Sequence, residues 1–236
     1  MAEVLSNENI ASDFWLLKVR EKSARRPAMG QFYMIRAWDA GPLLSRPVSV
    51  FDSGEDTVSF LYRVMGRGTK IISELKAGDS LTLLGPLGRG FSTVSGRTAL
   101  VGGGAGIAPL YFAARTIRLS GAATTLDIFL GFSGVPVLEE SYRLLCDNLV
   151  VQSGGFITGA VKAEDYDCML ACGPEPMMKA LSEKCRGLPV RLELSLESRM
   201  ACGVGACLVC SRGTAGGNKK VCKDGPVFAA GEIYGP

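Results

Sequence analysis

The stretch Ala99-Leu-Val-Gly-Gly-Gly-Ala-Gly-Ile-Ala-Pro109 decides the architecture of the second half of the chain. The short apolar run to Gly102 reads as a buried strand, the glycines that follow as a turn, and Ile107-Ala-Pro-Leu as the opening of a helix reaching about Leu119. A proline is tolerated in a first helical turn, where its missing N–H has no intrahelical partner to lose. The same grammar recurs downstream. Leu126-Asp-Ile-Phe-Leu-Gly131 reads as a strand, 138–145 as a helix and Leu149-Val-Val-Gln152 as a strand; Cys168-Met-Leu-Ala-Cys172 then leads through Gly173-Pro-Glu-Pro into a helix over 177–185. This alternation predicts a parallel, doubly wound α/β sheet over 96–195. Ligands of such sheets lie beyond the carboxyl ends of the strands, which here carry Gly102 to Gly106 and residues 172–177. The turn lacks the third glycine of G-x-G-x-x-G, so it is not the usual Rossmann fingerprint.

Upstream the pattern differs. Short apolar runs at Phe14-Trp-Leu-Leu-Lys-Val-Arg20, 31–36, Val48-Ser-Val-Phe51, 57–64 and Ser80-Leu-Thr-Leu-Leu84 are separated by turn signals near Arg26-Pro27, Ser53-Gly54 and Gly85-Pro86. They predict a small antiparallel β-barrel over 1–95, interrupted by a helix at 69–75. Two stretches in it carry chemistry. In Arg46-Pro47-Val48-Ser49 the arginine can grip phosphate bidentately and the serine can bond a ligand heteroatom. On spacing alone the plainer account, a surface arginine before an edge-strand proline, wins. In Gly66-Arg67-Gly68-Thr69 a glycine-rich turn feeds a helix start, where backbone N–H groups welcome an anion and Thr69 also reads as an N-cap.

A third segment, 196–236, holds Met200-Ala-Cys-Gly-Val-Gly-Ala-Cys-Leu-Val-Cys210 and then Cys222. The thiols of Cys202, Cys207, Cys210 and Cys222 read as C-x4-C-x2-C-x11-C, the pattern of a plant-type [2Fe-2S] cluster. Gly203 and Gly205 let backbone N–H groups approach the cluster sulfurs. A structural zinc knot would use the same four thiolates, but zinc sites present paired C-x2-4-C knuckles and here the last cysteine stands alone.

Composition narrows the function. The chain of 236 residues is 47% hydrophobic and 21% charged, with a net charge of +3 and no basic run, which argues against nucleic acid or an anionic membrane as partner. Lys219-Lys220 reads as a solvated loop. The start of the chain carries acids and no apolar core, unlike a signal peptide. The longest uncharged run, 98–114, is shorter than the roughly 20 residues of a spanning helix. A cytoplasmic protein is expected, so its eight cysteines point to metal binding or buried thiols, with Cys146, Cys168 and Cys185 assigned to the core. There is no histidine, which excludes a Ser-His-Asp triad, a His-bound catalytic zinc and a Rieske centre in this chain. Hydride and single-electron transfer need none, because cofactors carry that chemistry.

Arg-Pro-Val-Ser in a barrel, Gly-Gly-Gly-Ala-Gly-Ile-Ala-Pro after a strand and Cys-Gly-Pro-Glu-Pro-Met after a later one resemble the ferredoxin-NADP reductase-like flavoproteins over residues 1 to about 190. With the four-cysteine segment, the whole chain is similar to the electron-transfer subunits of class 1B dihydroorotate dehydrogenases. The resemblance implies FAD at Arg46, Pro47, Val48 and Ser49, with Arg46 on the pyrophosphate and Ser49 near the flavin ring, completed by Leu61, Tyr62, Arg63, Gly68 and Thr69. It implies NAD at Gly103, Gly104, Gly106, Ile107, Ala108 and Pro109 and at Cys172, Gly173, Pro174 and Met177, with Cys172 either near the nicotinamide or simply packed. It implies the [2Fe-2S] cluster on Cys202, Cys207, Cys210 and Cys222. The family's partner is an FMN-bearing catalytic subunit that oxidises dihydroorotate to orotate in pyrimidine biosynthesis, in a heterotetramer of two plus two. Electrons would pass from that FMN through the cluster and FAD to NAD+. Related bifurcating reductases tend to carry aspartate at the first cluster position, where this chain has Cys202; subunits serving sulfide, sulfite or ferredoxin chemistry are excluded less firmly. The alternative from another class is a non-enzymatic binding module with a four-cysteine zinc site.

Overall fold

The computed structural model describes residues 1–22 and 25–235. Its first strand, β1 (Ala2–Ala11), was not announced by the sequence; it pairs antiparallel with β2 (Phe14–Arg20) around Ser12 and Asp13. Then follow β3 (Phe32–Arg36), β4 (Arg46–Ser49), β5 (Asp52–Ser53), β6 (Thr57–Arg63), α1 (Arg67–Ser73) and β7 (Ser80–Leu87). The sheet order is β4-β3-β7-β1-β2-β6-β5, every pairing antiparallel. β4 returns against β6, so the sheet curls into a barrel around Leu17, Tyr33, Ile35, Val58 and Phe60.

Two details differ from the sequence reading. The run expected at 48–51 breaks after Ser49 because the chain changes partners there: Val50 N–H donates to Gln31 O, whereas Phe51 N–H donates to Ser59 O on β6. Helix α1 begins earlier than expected, capped by Gly66, so Thr69 is a third-position residue and not the N-cap.

The second half runs β8 (Gly96–Gly103), a 3-10 turn (Gly104–Gly106), α2 (Ile107–Ser120), β9 (Ala123–Phe132), α3 (Glu139–Arg143), β10 (Asn148–Ser153), β11 (Cys168–Cys172), α4 (Glu175–Cys185) and β12 (Arg191–Ser195). These five strands are parallel, the four read from the sequence together with β12, which the sequence reading did not name. The last segment contributes the hairpin β13 (Ser211–Thr214) and β14 (Gly217–Lys220), then α5 (Val221–Asp224), β15 (Val227–Ala229) and α6 (Ala230–Tyr234). Lys219-Lys220 therefore belongs to a strand, not a loop, and Lys219 pairs with Glu232 at 3.6 Å. β15 adds an antiparallel edge to β12, giving the order β10-β9-β8-β11-β12-β15.

Two apolar cores hold this together. One fills the barrel and continues over one face of the parallel sheet. The other joins Phe32 and Met34 of the barrel, Val101, Met169 and Leu194 of the sheet, and Met200, Cys210, Val221, Cys222 and Phe228 of the last segment. Burying one such large side chain contributes roughly 1.5–3 kcal/mol, so the cysteine segment is anchored by packing as well as by any metal. Across the junction Phe51 stacks on Tyr111 at 4.2 Å, and Arg115 pairs with Asp52. Cys168 and Cys185 are buried as expected; Cys146 is only half-buried, its thiol donating to Tyr142 O at 3.3 Å.

Candidate cofactor and cluster sites

Arg46 leaves β4 with its guanidinium 5.3 Å from the Trp38 ring centre and donating to Leu44 O. A Cβ on Gly68 would lie 2.5 Å from its Nε and 2.7 Å from its Nη2. Only glycine at 68 lets this guanidinium rest against the first turn of α1, so two stretches distant in sequence meet at one cationic corner. The Thr69 hydroxyl is occupied within that turn, accepting the N–H groups of Met65 and Gly66 at 2.9 and 3.1 Å. Val48 is buried, whereas Pro47 and Ser49 are half-buried on the same strand. The side chains of the Leu61–Arg63 run are committed to the barrel. Leu61 and Tyr62 are buried, Tyr62 donates to Asn7 Oδ1 at 3.1 Å, and burial drives its phenol far above the usual range. Arg63 is paired with Asp13. What this run can offer a ligand is backbone, because β5 pairs with β6 only at Val58 and Ser59.

At the strand ends of the parallel sheet, β8 and β11 are neighbours with Gly102 opposite Cys172. A Cβ on Gly106 would come within 2.3 Å of Cys172 O, and one on Gly103 within 2.7 Å of Pro174 and 2.9 Å of the Met177 sulfur. The glycine turn and the Cys-Gly-Pro-Glu-Pro-Met turn are thus fitted into each other at the point where strand order reverses. Gly104 faces open space, leaving its backbone approachable. Ile107, Ala108 and Pro109 point into the core and seat α2. Cys172 is buried, and its thiol is held well above the usual range, first by burial, then by Glu197, against a hydrogen bond with Ser195. Glu197 is exposed to solvent, yet partial desolvation by the surrounding protein raises its carboxyl.

The four expected cysteines come together as two contacting pairs, Cys202 with Cys207 and Cys210 with Cys222. The N–H groups of Val204, Ala206 and Cys207 point at Cys202 Sγ at 3.3–3.4 Å, and Gly205 N–H points at Cys222 Sγ at 3.1 Å. The amides, led by that of Cys207, bring the Cys202 thiol down to about 6. Burial, then Cys210, pushes Cys222 up to about 12. Among the described residues no group of three or more Cys, Asp or Glu side chains lies close enough together to hold a metal ion. Gly203, at φ 73, sits where a Cβ would strike Met34 at 2.6 Å, so the thiol loop lies directly on the barrel.

Two residues at these sites carry no signal in the sequence. Glu197 is a single acid between a strand and the thiol loop, and Arg212 is one arginine in a short hairpin; each acquires meaning only from a distant partner, Cys172 and Glu175 respectively.

The curled antiparallel sheet, the parallel sheet and the four-thiol segment define, by class, a ferredoxin-reductase-like iron–sulfur flavoprotein. A solved structure of an NADH-dependent reduced ferredoxin-NADP oxidoreductase superposes with a TM-score of 0.87 at 28% identity, covering 99% of this chain and 89% of that one. Residues 197–234 match the iron-sulfur cluster binding domain of dihydroorotate dehydrogenase B. The dihydroorotate dehydrogenase B (NAD(+)) electron transfer subunits of Clostridium acetobutylicum and Caldanaerobacter subterraneus subsp. tengcongensis are 38% and 40% identical to it. Each match covers 98% of this chain, and 95% and 97% of the respective relative. The chain belongs to the family of dihydroorotate dehydrogenase B (NAD(+)) electron transfer subunits.

Proposed function

We infer that this chain is an oxidoreductase subunit that carries electrons between NAD(H) and the FMN of a dihydroorotate dehydrogenase catalytic subunit, using FAD and a [2Fe-2S] cluster. The observation that supports this reading is the seating of the thiol loop on the barrel, Gly203 against Met34 and Leu87, which favours a short electron path between a cluster on those thiols and a flavin held by the barrel. Arg46 and Gly68 hold the FAD pyrophosphate, Ser49 lies toward the flavin ring, and the backbone of 61–63 lines the remainder. The interlocked turns at 103–106 and 172–177 hold the dinucleotide, and Cys172, kept as a neutral thiol, lies near the nicotinamide without adding charge beside it. Bound FAD supplies two-electron exchange with the nicotinamide and one-electron exchange with the cluster. The protein's own part is to orient these groups and exclude water, which agrees with the absence of histidine from the sequence.

The catalytic subunit docks on the face bearing Cys207, Val204, Leu208 and Val209, all exposed beside the cluster ligands. A heterotetramer of two plus two in the cytoplasm, serving pyrimidine biosynthesis, is the assembly this reading favours. No helix of the described residues is long and apolar enough to cross a membrane.

An anaerobic titration of the FAD- and cluster-loaded protein with NADH, followed by its visible spectrum and with NADPH as control, tests the reading. Bleaching of flavin and cluster bands by NADH is expected. Bands that ignore NADH would remove the nicotinamide site, and a protein that takes up neither FAD nor a cluster on reconstitution but binds zinc would replace the enzyme by a binding module.

A further inference from the structure

Glu175 is the first charged residue met on either of the interlocked turns. Residues 98–114, which carry the glycine turn, and 168–174, which lead into the other, hold no charged side chain. A pyrophosphate entering there is received by backbone N–H groups and the start of α2, with no cation in either turn to offset a carboxylate nearby. Glu175 is near. It adjoins Pro174, whose ring carbon lies 2.7 Å from where a Cβ on Gly103 would sit. Neighbouring Cα atoms are about 3.8 Å apart, so the backbone of Glu175 lies roughly 10 Å or less from the glycine turn. Glu197, after β12, is a second acid at this end of the sheet.

The Glu175 carboxylate is held by groups that all come from the four-cysteine segment. Arg212, in the hairpin beyond Cys210, donates from Nη1 to Oε2 at 3.2 Å and from Nη2 to Oε1, which lowers the carboxyl below its usual range. Tyr234 of α6 donates to Oε1 at 3.5 Å. Lys219 of the same hairpin is engaged elsewhere, with Glu232 at 3.6 Å. Among the described residues no other cation pairs with Glu175. The acid thus serves as the strut that docks the hairpin on α4, and a carboxylate also suits the first turn of a helix. A strut placed there brings a negative charge to a site built for an anion, and the partner that makes it a strut also cancels the charge.

We propose that Arg212 is a positioning residue for the dinucleotide, acting through Glu175: its fork cancels a carboxylate that would otherwise repel the pyrophosphate from the interlocked turns. This rests on the dinucleotide reading of the site and adds to it a residue from outside the α/β domain. Arg212 acts on the approach of charge and not on the reacting nicotinamide, so its loss changes the half-saturating concentration of donor and leaves the limiting rate.

The test follows anaerobic flavin reduction in the FAD- and cluster-loaded protein by stopped-flow absorbance. Two donors are used, NADH and 1-benzyl-1,4-dihydronicotinamide, which carries no phosphate. At low ionic strength Arg212→Ala is expected to raise the half-saturating NADH concentration roughly fivefold, with the limiting rate held and the benzyl donor unaffected. The factor should shrink in high salt, where exposed charges are screened. Adding Glu175→Gln to Arg212→Ala should restore the wild-type value, and Arg212→Lys, which keeps the charge without the fork, should stay near it. Glu175→Gln alone, which needs no loss of the arginine, should bind NADH as well as wild type or better. An unchanged value in Arg212→Ala, a rise that Glu175→Gln does not relieve, or a rise in Glu175→Gln alone overturns the compensation. A wild-type flavin that NADH does not reduce is a different failure: it overturns the dinucleotide reading itself, and the compensation with it.

Discussion

Arg212, which follows Cys210 by two positions, forks onto Glu175 in the first turn of α4, with Nη1 to Oε2 at 3.2 Å and Nη2 to Oε1 closer still. Its guanidinium also lies 5.9 Å from the Tyr234 ring centre, and the Tyr234 hydroxyl donates to the same carboxylate at 3.5 Å. Glu175 belongs to the Cys-Gly-Pro-Glu-Pro-Met turn. One side-chain cluster therefore ties the hairpin beyond the thiol loop, the last helix and the turn assigned to the dinucleotide into a single unit. A bidentate fork fixes direction as well as distance, which a lysine at 212 would not.

Arg212→Ala should lower stability modestly. Exposed pairs are worth about 0–1 kcal/mol, with bidentate geometry at the upper end, and 1 kcal/mol corresponds to roughly 2–4 °C in a protein of this size. The pH dependence has a definite sign. Arg212 holds the Glu175 carboxyl below its usual value of 4.5, so the pair's contribution is present above that value and fades as pH falls through the lowered one. The melting difference between wild type and variant should be present at pH 7, shrink below about pH 4 and diminish in high salt. A difference that persists unchanged at pH 3 would mean the hairpin is held by something other than this carboxylate.

Gly68→Ala should weaken FAD binding. The new methyl carbon would fall 2.5–2.7 Å from the Arg46 guanidinium, too close to coexist, and the arginine must swing away from α1. A loss of about tenfold in flavin affinity is expected, of the size of one charge-assisted hydrogen-bonded contact. Arg46→Ala should cost a similar amount, and the double variant little more than either single one, because both remove the same contact. Flavin retained after gel filtration and fluorescence titration with FAD measure it.

Gly106→Ala probes the other site. Its Cβ would meet the Cys172 carbonyl oxygen at 2.3 Å, and backbone has no rotamer with which to yield. Forcing the two turns apart should cost about 1–3 kcal/mol in stability and raise KM for NADH, while flavin content stays at the wild-type level. Thermal melts and NADH kinetics on the same preparation separate the two effects.

The parts of this structure that were legible in the sequence are those whose signal is local. Residues 99–109 carry strand, turn and helix within eleven positions, and three of the four thiols lie on one loop, so both could be found without knowing the fold. β1 was not legible, because its middle reads as polar loop: Ser6, Asn7, Glu8 and Asn9. Yet Asn7 is a peg, donating to Ile72 O and Leu75 O at 2.8 and 3.2 Å and accepting from Tyr62. β15 has only three residues, too few for any periodicity, and exists because β12 presents a free edge. Glu197 and the Arg212–Glu175 fork are long-range contacts between residue types that are ordinarily solvated, so no pattern marks them.

Cys172 should behave as a thiol, not a thiolate, up to alkaline pH. Burial holds its proton above the ordinary value of 9.0, and burial raises Cys185 to about 11. In the unfolded chain these groups ionise near the ordinary value, whereas in the folded protein they do not. Stability from this source is therefore full below about pH 8.5 and falls as pH rises beyond it. The melting temperature should decline above about pH 9, less steeply in Cys172→Ala, and iodoacetamide at pH 8 should leave Cys172 unmodified in the folded protein. Rapid alkylation there would show an accessible, activated sulfur.

Cys207→Ser separates the cluster from the segment that carries it. Cys207 is exposed, and the neighbouring loop positions Val204 and Leu208 are exposed too, whereas Met200, Cys210, Val221, Cys222 and Phe228 are packed with Phe32, Met34 and Leu194. Loss of one ligand should abolish the cluster bands and leave FAD in place. The loop at 202–209 then loses its metal restraint, but β15 stays hydrogen-bonded to β12 and α6 stays packed on α4. Hydrogen exchange should accordingly rise only within 202–209, with the amides of β15 and α6 as protected as in the loaded protein. Exchange spreading over the whole of 196–235 would mean that the metal, and not the apolar core shared with the barrel, holds this segment to the protein.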